Sequence, residues 1–357
     1  MGNGVNRTNR YHGSLLDPAS LVYNHVVKIS GFVQKLTPPA TPLAAAGVCA
    51  VVVTFNRKNL LRECLNSVLV QSRVPDHIVV IDNNSTDGTF EMLKAEFECL
   101  PTGPGMTIIR QKENMGGAGG FAAGFDWAHR NGFEWLWVMD DDVEMLPGAL
   151  EMLLSYQDVS DFIQCRRKNP GSDVKLDSLW DISCGVASQP SSTILHQELE
   201  DDTRRHRRTW ISVQWGNFEG ALVHRSVVDR IGLPDARFFV AGDDSTYGLE
   251  ASFHTNVIYV KEYGVQRKLD PPKRSTKLAY YLTLRNRFLI RGHLKKLGFD
   301  VNPIVFWTSQ LVSLAWVTKS VLRDGGQPHK FEMLGTVLRG LLDGATGRFG
   351  RPPFLKA

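Results

Sequence analysis

Three carboxylates stand side by side in Asp140-Asp-Asp142, where the apolar run Trp135-Leu-Trp-Val-Met139 ends. Like charges this close repel and raise one another's pKa. The usual relief is a cation, and oxygen-only clusters suit hard ions such as Mg²⁺ or Mn²⁺. A dication held by one or two carboxylates and by substrate phosphates would make this a nucleotide-handling site. The other reading is a solvated acidic turn ahead of Pro147. A second pair, Asp243-Asp244, follows the apolar Phe238-Phe-Val240. It could cap the next helix or act as a general base toward an acceptor hydroxyl. A base beside a metal-bound phosphate is something catalysis needs and folding does not.

Two further clusters carry weaker signals. Asp82-Asn-Asn-Ser-Thr-Asp-Gly88 is rich in turn formers, yet Asp82 fixes a carboxylate on the last residue of an apolar run, where it can accept from a base or ribose. Arg57 follows another apolar run and reads as a diphosphate contact or a surface residue. Gly117-Ala-Gly-Gly-Phe-Ala122 fits a loose dinucleotide fingerprint, with Asp140 about twenty residues on. Three adjacent carboxylates exceed what one ribose needs, and the motif follows the third strand rather than the first. Bare amides at a helix start can still receive phosphate or sugar hydroxyls.

The elements that must position these residues alternate. Cys49–Thr54, His77–Asp82, Thr107–Gln111 and Phe133–Asp140 read as strands. Leu60–Gln71, Phe90–Phe97 and Ala118–Asn131 repeat apolar residues with a helical period. Strand–helix alternation predicts an α/β fold, a mostly parallel sheet with helices on both faces. Ligands of such sheets sit beyond the strands' carboxyl ends, and each polar cluster falls on such an end. Residues 157–215 are less periodic, and Arg204–Arg208 reads as an exposed loop. A short strand is expected over Asn256–Val260. From Ser275 the chain reads helical.

Together these residues resemble glycosyltransferase family 2, over roughly residues 47–270. Ala50-Val-Val-Val-Thr-Phe-Asn-Arg57 and Val80-Ile-Asp-Asn-Asn-Ser-Thr-Asp-Gly-Thr89 are similar to its nucleotide-binding half, and Asp140–Asp142 to its DxD element. The resemblance implies the Rossmann-like GT-A fold and inversion at the anomeric carbon. Asn114-Met-Gly-Gly-Ala-Gly-Gly-Phe121 looks like galactofuranosyltransferases and some rhamnosyltransferases. Gly242-Asp-Asp-Ser-Thr-Tyr-Gly248 matches the former's Trp-Asp-Asp-x-x-Tyr-Gly element apart from its Trp. Carried over, Thr54, Phe55, Asn56, Arg57, Asp82, Asn83, Asn114, Gly116, Gly117, Asp140 and Asp141 would hold the nucleotide sugar. Asp142, with Asp140, would hold Mn²⁺ or Mg²⁺, and Asp244 would be the base, with Asp243 less favoured. Trp215, Asn217, Phe218 and Gly220 would line the acceptor pocket. The family often offers the metal a histidine after the strand at Asn256–Val260. Here stands Gln266-Arg267-Lys268, so a water or a basic side chain would take that place.

The totals frame this reading. Over 357 residues, 43% hydrophobic and 22% charged content are ordinary for a folded chain. Five scattered cysteines without a CxxC pair point to a reducing compartment and away from zinc. The net charge of +4 hides an asymmetry. From Gly264 onward 17 Lys/Arg face 5 Asp/Glu, so the body before it is acidic. The basic tail calls for an anionic surface, membrane phospholipid in preference to nucleic acid. No signal peptide or spanning helix is read. The expected organisation is residues 1–46 as an extension, with a strand or hairpin at Leu21–Val33 and a proline-rich linker, 47–270 as the transferase domain, and 271–357 as basic helices. Val301–Val321 suits a helix lying in an interface.

The expected enzyme transfers galactofuranose from UDP-galactofuranose, or rhamnose from dTDP-rhamnose, to a glycan or polyprenyl-linked glycan in cell-envelope polysaccharide synthesis. It would work in the cytoplasm at the inner face of the membrane, without nucleic acid, oligomerisation being open. The competing readings are a nicotinamide or flavin enzyme built on the glycines, and a non-catalytic glycan- or nucleic-acid-binding protein.

Overall fold

The computed structural model describes residues 47–98, 103–170, 172–173, 201, 204–269, 276–323 and 330–355. The expected extension and linker, Cys99 and Cys184 lie outside them. Strand β1 (Val48–Thr54) is buried along its whole length. It pairs in parallel with β2 (His77–Asp82) and β4 (Trp135–Asp140), and β2 pairs in parallel with β3 (Gly105–Arg110). Alternate residues of β1 enter different cores. Val48, Ala50 and Val52 pack with Leu61, Leu65 and Val68 of α1 (Lys58–Leu69). Cys49, Val51 and Val53 pack with Phe121, Phe125 and Ala128 of α3 (Gly116–Arg130). A strand covered on both faces can be apolar throughout, which is why its sequence reads as a run rather than an alternation. Helix α2 (Thr89–Glu96) completes the parallel half.

The second half of the sheet is mixed. Beyond β4 the order continues β9 (Ala221–His224), β6 (Phe162–Asn169), β10 (Val257–Arg267), β5 (Val143–Met145). Strand β9 runs antiparallel to both β4 and β6, whereas β10 runs parallel to β6. Short strands β7 (Ser172–Asp173) and β8 (Trp210–Ser212) pair at the edges. The less periodic segment 157–215 thus contributes β6 and β8. The strand expected over Asn256–Val260 runs on to Arg267, with register irregularities around Tyr263. Helix α4 (Ala149–Leu154) covers this half, while α5 (Arg225–Ile231) and α6 (Asp243–Ser252) follow β9.

Helices α7 (Lys277–Lys296), α8 (Pro303–Arg323) and α9 (Lys330–Ala345) share a core around Tyr280, Leu284, Val317, Val321 and Val337. They also pack on the transferase body. Leu289 meets Ala118 and Phe238, and Leu294 and Phe306 meet Leu249 of α6. No helix among the described residues is long and apolar enough to cross a membrane.

Candidate active site

The register sets the strand ends together: Thr54 lies opposite Asp82, and Val53 opposite Asp140. Of the three carboxylates, Asp141 turns inward. Its Oδ2 accepts from the Thr54 hydroxyl at 2.7 Å and the Phe55 amide at 3.3 Å, and its Oδ1 accepts from Arg57 at 3.0 Å. The same guanidinium reaches Asp142 at 2.8 Å. Asp141, Thr54 and Arg57 therefore build the β1–α1 loop around the acidic run. Burial lifts the Asp141 carboxyl above its ordinary range, and the arginine and threonine only partly reverse that.

Asp140 is different: among the described residues, no hydrogen bond to its carboxylate is made. Burial first, then Asp142, Glu219, Asp141 and Asp243, push it well above the usual carboxylate range. The contribution of Asp243 puts the distant pair within electrostatic reach of the triplet. The donor set fits a hard dication: it is all carboxylate, one cation serves three anions, and Asp140 is left uncompensated. Among the described residues no group of three or more His, Cys, Asp or Glu forms a protein cage for a metal.

Asp82 and Asn83 are fully buried at the end of β2. Asp82 Oδ1 accepts from the Ser85 amide at 2.9 Å, while its Oδ2 and the Asn83 Oδ1 are buried without a hydrogen-bond partner. Buried acceptors rarely stay unpaired in a finished site. Asn56, at φ +53, bridges loops instead: its Oδ1 accepts from the Thr86 amide at 2.7 Å, and its own amide donates to Ser85 Oγ at 2.9 Å. Asn114 accepts from the Gly116 amide at 2.8 Å, turning the chain into α3. Gly116 backs directly onto the Phe239 backbone. It sits at φ +72, and a Cβ there would lie 2.0 Å from the Phe239 carbonyl oxygen. That oxygen already takes the Ala118 amide at 3.1 Å. Gly117 has open space where a Cβ would be.

Asp243 and Asp244 open α6 after Gly242, in the first turn, where a helix start favours anions. Burial outweighs that. It raises both, aided at Asp243 by the charge of Asp244, with Asp243 pushed up to about 8 and Asp244 to about 6. Asp244 Oδ1 accepts from the Ser245 amide at 2.6 Å. Asp244 lines a cavity of about 530 Å³ between α6 and α7, with Trp215, Leu278, Leu282, Asn286 and Ile290 among its walls. Trp215 is held there by a backbone contact. A Cβ on Gly248 would lie 2.0 Å from the Gly216 nitrogen, and one on Gly216 2.6 Å from the Asp244 oxygen.

The rest of the expected acceptor wall lies in the interior. Phe218 stacks among Phe121, Phe125 and Tyr247. Asn217, 3% exposed, bonds to Gln164 and to the Glu219 amide. Gly220 accepts from the Trp137 indole at 3.2 Å. These residues hold the sheet beneath the site. Glu219 was missed by sequence reasoning: burial works upward on it, but Arg167 and Arg267 together hold it below its ordinary range. Arg267 is thus committed to Glu219, and Lys268 to Glu63 and Glu144, so neither stands in for the absent histidine.

The chain is similar to several known proteins. Galactofuranosyltransferase GlfT1 of Mycolicibacterium smegmatis is 32% identical over 202 residues, 55% of this chain and 62% of that one. Abequosyltransferase RfbV of Salmonella typhimurium is 33% identical over 128 residues, 34% and 36% of the two chains. The chain spans less than two thirds of these relatives' lengths. The solved mannosyltransferase PcManGT from Pyrobaculum calidifontis, in complex with GDP-Man and Mn²⁺, aligns over 86% of this chain and 76% of its own at 18% identity, with a TM-score of 0.48. A family model described as Glycosyl transferase family 2 matches residues 49–232. That match takes in the whole acidic triplet and more than half of the sequence, and the chain belongs to glycosyl transferase family 2 and is a glycosyltransferase.

Proposed function

We propose that this chain transfers galactofuranose, with inversion, from UDP-galactofuranose to a hydroxyl of a lipid-linked glycan, Asp244 acting as the base. The observation that carries the reading is the shared field of two carboxylate groups, the Asp140–Asp142 run at the end of β4 and the Asp243–Asp244 pair, of which Asp244 lines the cavity. Asn83 Oδ1, without a hydrogen-bond partner, and Asp82 Oδ2, which has only the Arg110 guanidinium at 3.8 Å, suit the donors of a uracil and ribose. Asp142 and Asp140 would hold a dication together with substrate oxygens and water. When bound, it would neutralise the departing diphosphate.

Asp244, poised near neutral pH by burial, takes the acceptor's proton as the acceptor oxygen attacks the anomeric carbon. The new C–O bond forms as the bond to the diphosphate breaks, and the electron pair leaves with the diphosphate. Asp244, the member of the pair that lines the cavity, is the better-placed base. The galactofuranosyl donor rests on the named relatives and on Asn114–Phe121. Asp244→Asn is expected to lower turnover about 10²–10⁴-fold, read as UDP release from UDP-galactofuranose. Calorimetric binding of UDP with Mn²⁺ should stay near wild type. Wild-type turnover in that variant would remove the base assignment.

A membrane contact at the inner face of the cell membrane belongs to the same proposal. Helix α8 contains no acidic residue and exposes Ile304, Leu311, Val312, Trp316 and Leu322 beside Lys319 and Arg323. An apolar face rimmed by tryptophan and cations suits a helix lying on anionic lipid.

A further inference from the structure

The segment between η-turn residues Ala236–Phe238 and Gly242 is strained, and the strain is held from outside the transferase body. Phe239 has φ +67 and ψ −62, and the Val240 amide donates to the Phe238 carbonyl at 2.9 Å. This is a γ-turn of the rare positive-φ sense. Ala241 follows at φ +68. Non-glycine residues in such conformations persist only where the surroundings over-determine them.

Helix α7 supplies those surroundings. The Asn286 amide nitrogen donates to the carbonyls of Phe238, Val240 and Ala241 at 3.2, 3.1 and 2.9 Å. Its Oδ1 accepts from Arg285 Nε at 2.9 Å. Arg285, fully buried, donates to Phe238 O at 2.6 Å. The turn then faces two ways. Its Phe239 carbonyl caps α3 at Ala118, against Gly116 on the donor side, and Gly242 leads directly into Asp243 and Asp244.

We infer that Asn286 is a positioning residue which, by clasping the γ-turn at Phe239, fixes the Asp243–Asp244 pair against the donor-side helix α3. Asn286 lines the cavity, but its amide protons are committed to the loop, so it acts through the turn rather than by gripping an acceptor. Releasing the turn lets water reach the carboxylates and moves them away from α3. The inference rests on Asp244 being the base only for its turnover arm.

The test compares wild type, Asn286→Ala and Asn286→Gln in the full chain, first by ¹³C NMR titration of the Asp243 and Asp244 carboxyls. Those carboxyls face one another, Asp140, Asp235, Glu219 and Arg167. The titration needs no donor, so its result is separate from the sugar assignment. Asn286→Ala is expected to move the pair's titration at least one pH unit toward the ordinary aspartate range. Asn286→Gln, which keeps the amide, should lie between the two. With UDP-galactofuranose as donor, kcat should fall 10-fold or more in Asn286→Ala with little change in acceptor KM, and its acid limb should shift down with the titration. Unchanged titration in a folded Asn286→Ala overturns the inference. If that variant does not fold, unchanged titration in Asn286→Gln and Asn286→Ser overturns it equally, and a downward shift in either supports it.

Discussion

At the level of single residues, the site is a place where charge is crowded beyond what folding wants. Asp243 and Asp244 titrate above an unfolded aspartate, so the native pair keeps a proton that the unfolded chain has lost. Stability from this pair is therefore greatest near pH 4 and is lost as pH rises toward about 8. Asp243→Asn removes the buried charge. It should raise the melting temperature at pH 8, with an advantage that shrinks toward pH 4; each unit of upward shift represents about 1.4 kcal/mol. Arg57 works in the opposite sense, as the cation beside Asp141 and Asp142. Arg57→Met leaves Asp141 buried with too little compensation, and urea unfolding at pH 7 should show a loss of about 1–3 kcal/mol. The residue types of both clusters could be read from the chain. Which members face a ligand could not, because Asp141, Asn56 and Gly116 turn to neighbours far away in sequence.

At the level of elements, α3 and α7 decide how the site is framed. Helix α3 lies so close on β1 that a Cβ on Gly120 would meet Val53 at 2.4 Å, and one on Gly124 would meet Val51 at 2.3 Å. Gly124→Ala should cost about 1–3 kcal/mol by overpacking, measurable as a lower urea midpoint with an unchanged slope. Helix α7 is tied to α6 by His293, which lies between Asp235 at 2.9 Å and Glu250 at 2.7 Å. Burial pulls the imidazole down, but these two carboxylates outweigh it and raise it to about 9. A raised histidine stabilises fully below its unfolded pKa of about 6.5, and this contribution is lost as pH climbs through about 9. His293→Gln should therefore lower the melting temperature at pH 6 and matter much less at pH 10. The four parallel strands and three helices before Asp140 announce themselves by period. Strands β6 and β9 do not, and β10 does so only over its first residues, because their pairing partners lie up to about a hundred residues away.

For the whole molecule, the C-terminal helices prove to be two things at once. Their inner side completes the cavity and clasps the loop before Asp243, while the outer side of α8 presents apolar and basic residues. Deleting them would strip Asn286 and His293 from the site. Point changes on the outer side are the informative ones. Leu311 and Trp316 are 61% and 65% exposed. Replacing both with serine should leave the melting temperature within about 1–2 °C, since such surface changes are usually within about 0.5 kcal/mol. Sedimentation with phosphatidylglycerol vesicles should fall at least several-fold. Equal sedimentation would remove the membrane contact from the proposal.

The chain by itself determined that carboxylates end apolar strands, and that strands and helices alternate to carry them there. Local period and composition suffice for both. Tertiary structure alone decided that Asp140 and Asp243, about a hundred residues apart, lie within electrostatic reach, that Gly116 packs against the Phe239 carbonyl, and that helix α7 holds the turn before Asp243 and Asp244. Each of these is a long-range contact between groups whose own sequences carry no trace of their partner.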